Sequence, residues 1–296
     1  MIGWDGAHSK VAYVRKSAGK VYAETRVHEV VFLFVLVPGL LLSIEWAIQS
    51  NFGVLAEIKR DPMWFELSRE SYLSFDTIFD LYISSFAHSD WDHLQGNLVN
   101  YLFSISALYP MSIVANKRKN NFYLILVTFL ISPIVVKLVS NVYLMGRTIG
   151  FSGILSGLFG LLNIVIFVAV DEQIEADFNP FWSLITVFLV YIAMLVYFGA
   201  FVAAGYLVPL VVFLSAWFVY NEGLGGVREI LLVLVGKNNI LFPWALIIAI
   251  FGALAMFYGL PPGSNILGHI GGYLLGWGVG FITFGKGGVT SWLSNR

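Results

Sequence analysis

From Phe181 to Tyr220 the chain runs forty residues without a charge. As a single helix this stretch would be about 60 Å long, twice the hydrocarbon thickness of a bilayer. It is therefore expected to fold back on itself, near Gly199 to Gly205. Other apolar runs lie near 30–49, 92–109, 121–140, 151–170, 239–259 and 265–284; with the folded stretch split into 182–200 and 204–220, they predict eight spans. Seven is the count if the 181–220 region is irregular. The runs are long and continuous, not the short alternating segments of a barrel. Helices also satisfy each backbone group internally, as lipid requires. The expected fold class is an all-α polytopic membrane protein.

Composition agrees. Only 12% of the 296 residues are charged, against roughly a quarter in soluble domains. A net charge of −1 argues against nucleic acid as a partner. With no cysteine, disulfide and thiolate chemistry are excluded. The polar segment 1–29 has no short apolar run followed by a cleavage site, so no signal peptide is expected and the first apolar run should stay as a span.

Twelve of the seventeen Lys and Arg residues fall on one side if the N-terminus is inside. That bias predicts a multi-pass protein of the cell membrane, with segment 1–29 and tail 286–296 cytoplasmic and a transmembrane domain over 30–285. Segment 50–91 mixes aromatics with charges, as in Trp64-Phe65-Glu66, and is expected to lie in the outer interface.

Polar groups inside spans are costly and each invites an explanation. Ser152 stands in Gly150-Phe151-Ser152-Gly153 at the start of the fourth span. Flanking glycines open a serine to attack and let its backbone N–H approach a carbonyl, although Gly and Ser also serve simple helix packing. His269 lies about one turn into the last span, after the turn residues Pro261 to Asn265. A histidine suits general-base work near neutral pH, and it equally suits a structural hydrogen bond. His93 and Asn97 are four apart on one face of the second span. Both can donate hydrogen bonds where negative charge develops. The bland alternative is a polar helix start capped by Asp90 or Asp92. His88, five before His93, cannot share a regular helical face with it. Glu45 and Lys137 stand isolated near span ends.

Glycine spacing links these clusters. Gly268, Gly272, Gly276 and Gly280 recur every four residues on the last span, and Gly153, Gly157 and Gly160 form a stripe on the fourth. Facing stripes allow close backbone approach. Spans two, four and eight all run in the same direction. Their starts, carrying His93 and Asn97, Ser152, and His269, therefore fall in one layer.

On Gly150-Phe151-Ser152-Gly153, His269-x-x-Gly272-x-x-x-Gly276, and His88 with His93-x-x-x-Asn97, the chain resembles the rhomboid family of intramembrane serine proteases. The resemblance covers about a quarter of the chain. It implies a rhomboid-like helix bundle with Ser152 as nucleophile and His269 as base. It also implies an oxyanion hole from the Ser152 N–H, His93 and Asn97, with His88 in support. Gly150, Gly153, Gly272 and Gly276 would shape close helix packing.

There are departures. The family core has six spans with the histidine in the sixth, whereas the 117 residues between Ser152 and His269 leave room for two more, over about 182–259. An extra pair preserves the parity of the spans. Many members carry a tyrosine where Ser156 stands, and many have a Trp-Arg pair in the first outer loop, where Trp64 is followed by Phe65. Tyr273 is not an automatic replacement for that tyrosine.

The implied reaction is a Ser-His dyad working through an acyl-enzyme on transmembrane segments of other membrane proteins, with the lipid bilayer as surroundings and no metal or organic cofactor. Two other classes stay open: a rhomboid-like protein that binds membrane helices without cutting them, and a transporter built on broken helices. A zinc protease using His88, His93 and His269 is disfavoured because no HExxH run exists.

Overall fold

The computed structural model describes residues 17–50, 82, 84–88, 90–144, 150–174, 182–197, 199–235, 240–256 and 266–284. Most of the interfacial segment 50–91, the tail 286–296 and residues 1–16 lie outside the described residues. There is no strand among the described residues.

A helix stands at each of the apolar runs: α1 Val27–Gln49, α2 Trp91–Val114, α3 Arg118–Leu144, α4 Ser152–Ile174, α5 Ser183–Tyr197, α6 Phe201–Val235, α7 Leu241–Ala255 and α8 Ile266–Phe284. Six of them (α1 to α4, α6 and α8) contain stretches long and apolar enough to cross a membrane. The chain is a multi-pass helical membrane protein. Over the described residues α5 and α7 have 15 residues each, about 22 Å, less than a full hydrocarbon core.

The uncharged stretch folds back as expected. Gly199 adopts φ +72° between α5 and α6, a conformation that favours glycine. Trp182 then meets Phe218 at 4.9 Å between ring centroids, so α5 and α6 form an antiparallel hairpin. α6 contains a second break at Gly223, with φ 69° and ψ 167°.

α4 is the central helix. Of its most apolar window 94% is buried, against 6% for α6. Its main partner is α8. A Cβ on Gly272 would overlap the Gly153 carbonyl, one on Gly276 the Gly157 carbonyl, and one on Gly280 the Ile164 side chain. These contacts advance in the same sense along both chains, so α4 and α8 are parallel. α3 runs antiparallel to them, because Gly153 meets Val136 while Gly157 meets Thr128 and Ser132.

α1 is held to α2 by a backbone irregularity. Phe32–Leu36 is π-helical, and the Val37 N–H bonds to Phe32 O. The Leu33 carbonyl would need the N–H of residue 38, which is proline and has none. The Tyr101 hydroxyl of α2 donates to that carbonyl at 2.8 Å. Tyr101 is fully buried and its ring meets Phe151 edge-on at 5.7 Å. One side chain thus repairs α1 and braces the loop that carries Ser152.

At the far ends of α2 and α4, the Tyr109 hydroxyl donates to Glu29 Oε2 at 2.7 Å, Arg118 pairs with Glu29, and Asn116 bonds Glu172. Lys20 donates to the Val114 carbonyl at 3.2 Å. The ends of α2 and α4 therefore lie on one side, and their starts on the other.

Candidate active site

Ser152 is the first residue of α4, so its backbone N–H belongs to the helix's first turn and has no intrahelical acceptor. The preceding turn is fixed twice. Gly150, at φ +118°, donates its N–H to the Ser84 carbonyl at 2.9 Å. Phe151 is fully buried among Phe86, Tyr101 and Phe129. The aromatic anchor faces inward and leaves the next residue partly accessible at the helix start.

His269 is buried one turn into α8. Its Nε2 lies 2.8 Å from Ser152 Oγ, and its Nδ1 lies 2.6 Å from the Met256 carbonyl. A carbonyl only accepts, so Nδ1 carries the proton and Nε2 accepts from the serine hydroxyl. The ring is thereby held as a base aimed at Ser152. Met256 immediately follows α7, where the last carbonyls of a helix lack intrahelical donors. A helix end thus supplies the acceptor that an acid supplies in many serine hydrolases.

His93 stands at the third position of α2, set by the Asp90 side chain, which caps the helix by accepting from His93 N at 2.8 Å. A Cβ built on Gly150 would lie 3.0 Å from His93 Cε1, 3.3 Å from Nε2 and 3.9 Å from Ser152 Oγ. The Cε1–Nε2 edge of His93 is therefore packed on the Ser152 turn, and a side chain at position 150 would crowd that ring and strain the backbone at φ +118°. Asn97, one turn on, is buried, and among the described residues its Nδ2 has no hydrogen-bond partner. An unpaired buried donor is costly and is rare without a use.

His88 precedes α2 and is not on its face. Even so, its ring meets His93 edge-to-face at 5.1 Å. Burial, with His93 alongside, pushes its pKa down to about 4, so its ring is neutral near pH 7. Glu45 is not isolated as its sequence context suggests. It is fully buried, accepts from Gln49 Nε2 at 2.6 Å and from the His88 N–H at 3.2 Å, and lies 3.9 Å from His88 Nδ1. Lys137 is buried within the bundle and is likewise engaged.

Ser156 does not reach His269, because its hydroxyl donates back to the Ser152 carbonyl at 2.9 Å. Tyr273 points elsewhere too. Its hydroxyl accepts from Asn163 Nδ2 at 3.2 Å, in a buried network where Thr186 donates to Asn163 Oδ1 at 2.6 Å and Trp277 to Ser183 Oγ at 2.8 Å. That network ties α5 to α4 and α8. The glycines Gly153, Gly272 and Gly276 lie in the α4–α8 contact directly below the Ser152–His269 pair.

Sequence reasoning missed the Met256 carbonyl and the Glu45–His88 contact; the short connection from α7 to α8 is the one hint of the former. Among the described residues no three His, Asp or Glu side chains form a metal-binding group. Both nitrogens of His269 are already engaged.

The fold and this geometry define a multi-pass helical membrane protein in which a partly accessible serine meets a buried histidine beside two further polar side chains. No protein-family model matches the chain, and neither a curated protein nor a solved structure gives a significant match.

Proposed function

We propose that this protein is a rhomboid-type intramembrane serine protease. The observation that carries this reading is the double engagement of His269: Nδ1 on the Met256 carbonyl and Nε2 on Ser152 Oγ. In this mechanism His269 takes the Ser152 proton as the hydroxyl attacks a peptide carbonyl. The oxyanion is received by the Ser152 N–H, the buried Asn97 Nδ2 and His93. His269 then protonates the leaving amine, and water resolves the acyl-enzyme.

The substrate class is a transmembrane segment of another membrane protein. Helical backbone bonds resist proteolysis, so the segment must open near the end that meets the site. Residues of low helix propensity there ease opening. The bundle holds eight spans in this reading, two of them, within about 182–259, additional to a six-span core. The positive-inside bias puts the N-terminus in the cytoplasm and the site in the outer half of the cell membrane.

The test is cleavage of a panel of transmembrane reporters by purified protein in liposomes, wild type against Ser152→Ala. Cleavage lost in the variant, together with fluorophosphonate labelling of Ser152 in the wild type, supports the reading. Cleavage that persists in the variant excludes Ser152 as nucleophile. Wild type that neither cleaves nor labels turns the reading to a helix-binding protein of the same shape.

A further inference from the structure

Glu45 is a carboxylate buried within a membrane-spanning helix, where an ionisable group costs several kcal/mol unless it is partnered. No Lys or Arg lies within ion-pair distance of it among the described residues. Its contacts all converge on one place. Oε1 takes the Gln49 amide one turn on, and Oε2 takes the His88 N–H and faces His88 Nδ1.

Among the described residues neither ring nitrogen of His88 completes a regular hydrogen bond, although the Phe86 backbone and Asp90 also act on the ring, and the ring is buried. The 3.9 Å gap to the carboxylate closes to a hydrogen bond with a shift of about 1 Å. On its other side the His88 ring touches His93. His93 in turn lies over Gly150 beside Ser152. A polar chain thus runs from α1 through the turn before α2 to the site. If the carboxylate served only to tie α1 to this turn, an apolar residue of similar size would pack as well or better.

We propose that Glu45 is a positioning residue: its carboxylate orients the His88 imidazole, which holds the His93 ring with a donor edge toward the space where an oxyanion forms beside Ser152. This rests on the protease reading above. The carboxylate acts through two rings and touches no reacting atom. Its loss therefore costs less than removal of an oxyanion donor, and the cost falls on kcat.

The experiment uses reconstituted full-length protein carrying ¹⁵N-labelled histidine, with Glu45→Gln, Glu45→Asp and His88→Asn. Glu45→Gln keeps the size and the acceptor for the His88 N–H, so the fold should be retained. It is expected to lower kcat about tenfold, against the 10²–10³ of a lost donor. KM and the thermal midpoint should stay unchanged, while the His88 and His93 ring signals move. Glu45→Asp should recover part of kcat. In a His88→Asn background, Glu45→Gln should add nothing, because residues acting as one unit are not additive. An unchanged kcat, unmoved His93 signals or full additivity would each overturn the proposal. Should the wild type prove not to be a Ser152-dependent protease, the ring signals still decide the coupling. Moved His93 signals uphold it, and unmoved ones overturn it.

Discussion

The Met256 carbonyl accepts the Nδ1–H of His269 at 2.6 Å, and that bond aims the ring's other nitrogen at Ser152. The acceptor is backbone, so changing the Met256 side chain does not remove it. Replacing the peptide bond that follows Met256 by an ester weakens this oxygen as an acceptor and leaves every side chain in place. His269 is then held less firmly in the tautomer that aims Nε2 at Ser152. Weakening one hydrogen bond by about 1 kcal/mol should lower kcat on a transmembrane reporter about five- to tenfold. Helix content by circular dichroism should be unchanged.

Asn97 separates function from stability. Its Nδ2 is buried and has no partner among the described residues, a placement that costs about 1–3 kcal/mol for such a group. Asn97→Leu removes the cost. The variant should be at least as stable as the wild type in detergent unfolding, while kcat falls about 10²-fold or more through loss of an oxyanion donor. A variant that keeps full kcat would remove Asn97 from the site.

Much of this arrangement could be read from residue spacing because it depends on spacing. Glycines recurring every four residues need only an α-helix to form a stripe, and the parity of the spans then brings Ser152 and His269 to one level. The hairpin within 181–220 followed from length alone. Other features have no local signature. A carbonyl acceptor such as Met256 belongs to every residue and cannot be singled out. Glu45 looked solitary because its partner His88 is 43 residues away. The Tyr101 bond to Leu33 arises from the π-helical turn before Pro38, which a regular 3.6-residue period does not reveal. The end of α5 is concealed in the sequence because the break at Gly199 sits inside a continuous apolar run.

The glycine stripe makes a paired prediction on one helix. A Cβ at Gly276 would overlap the Gly157 carbonyl, whereas one at Gly278 meets nothing within 4 Å. Gly276→Ala must push α8 off α4 and should cost about 1–3 kcal/mol, as overpacking does. Because the same contact sets the Ser152–His269 distance, activity should fall as well. Gly278→Ala should be neutral or mildly stabilising, since alanine has the higher helix propensity. Thermal unfolding midpoints in micelles compare the two directly.

Tyr273 lies one turn beyond His269, and its hydroxyl accepts from Asn163 rather than approaching the imidazole. Tyr273→Phe should therefore cost about 1 kcal/mol of stability through one lost hydrogen bond. kcat and KM on a reporter should stay near wild type. A large fall in kcat without loss of stability would mean that the tyrosine supports the histidine after all.

His88 makes stability depend on pH. Its pKa is pushed from 6.5 to about 4 in the folded protein, first by burial and then by neighbouring His93. Between those values the unfolded chain takes up a proton that the folded protein refuses. Stability contributed by the neutral ring is thus complete above about pH 6.5 and is lost as pH falls toward 4, by about 3 kcal/mol in all. Unfolding midpoints in micelles at pH 7, 5.5 and 4 should fall for the wild type and fall less for His88→Asn, which has no ring to charge. Parallel slopes for the two proteins would show that the acid sensitivity comes from another group.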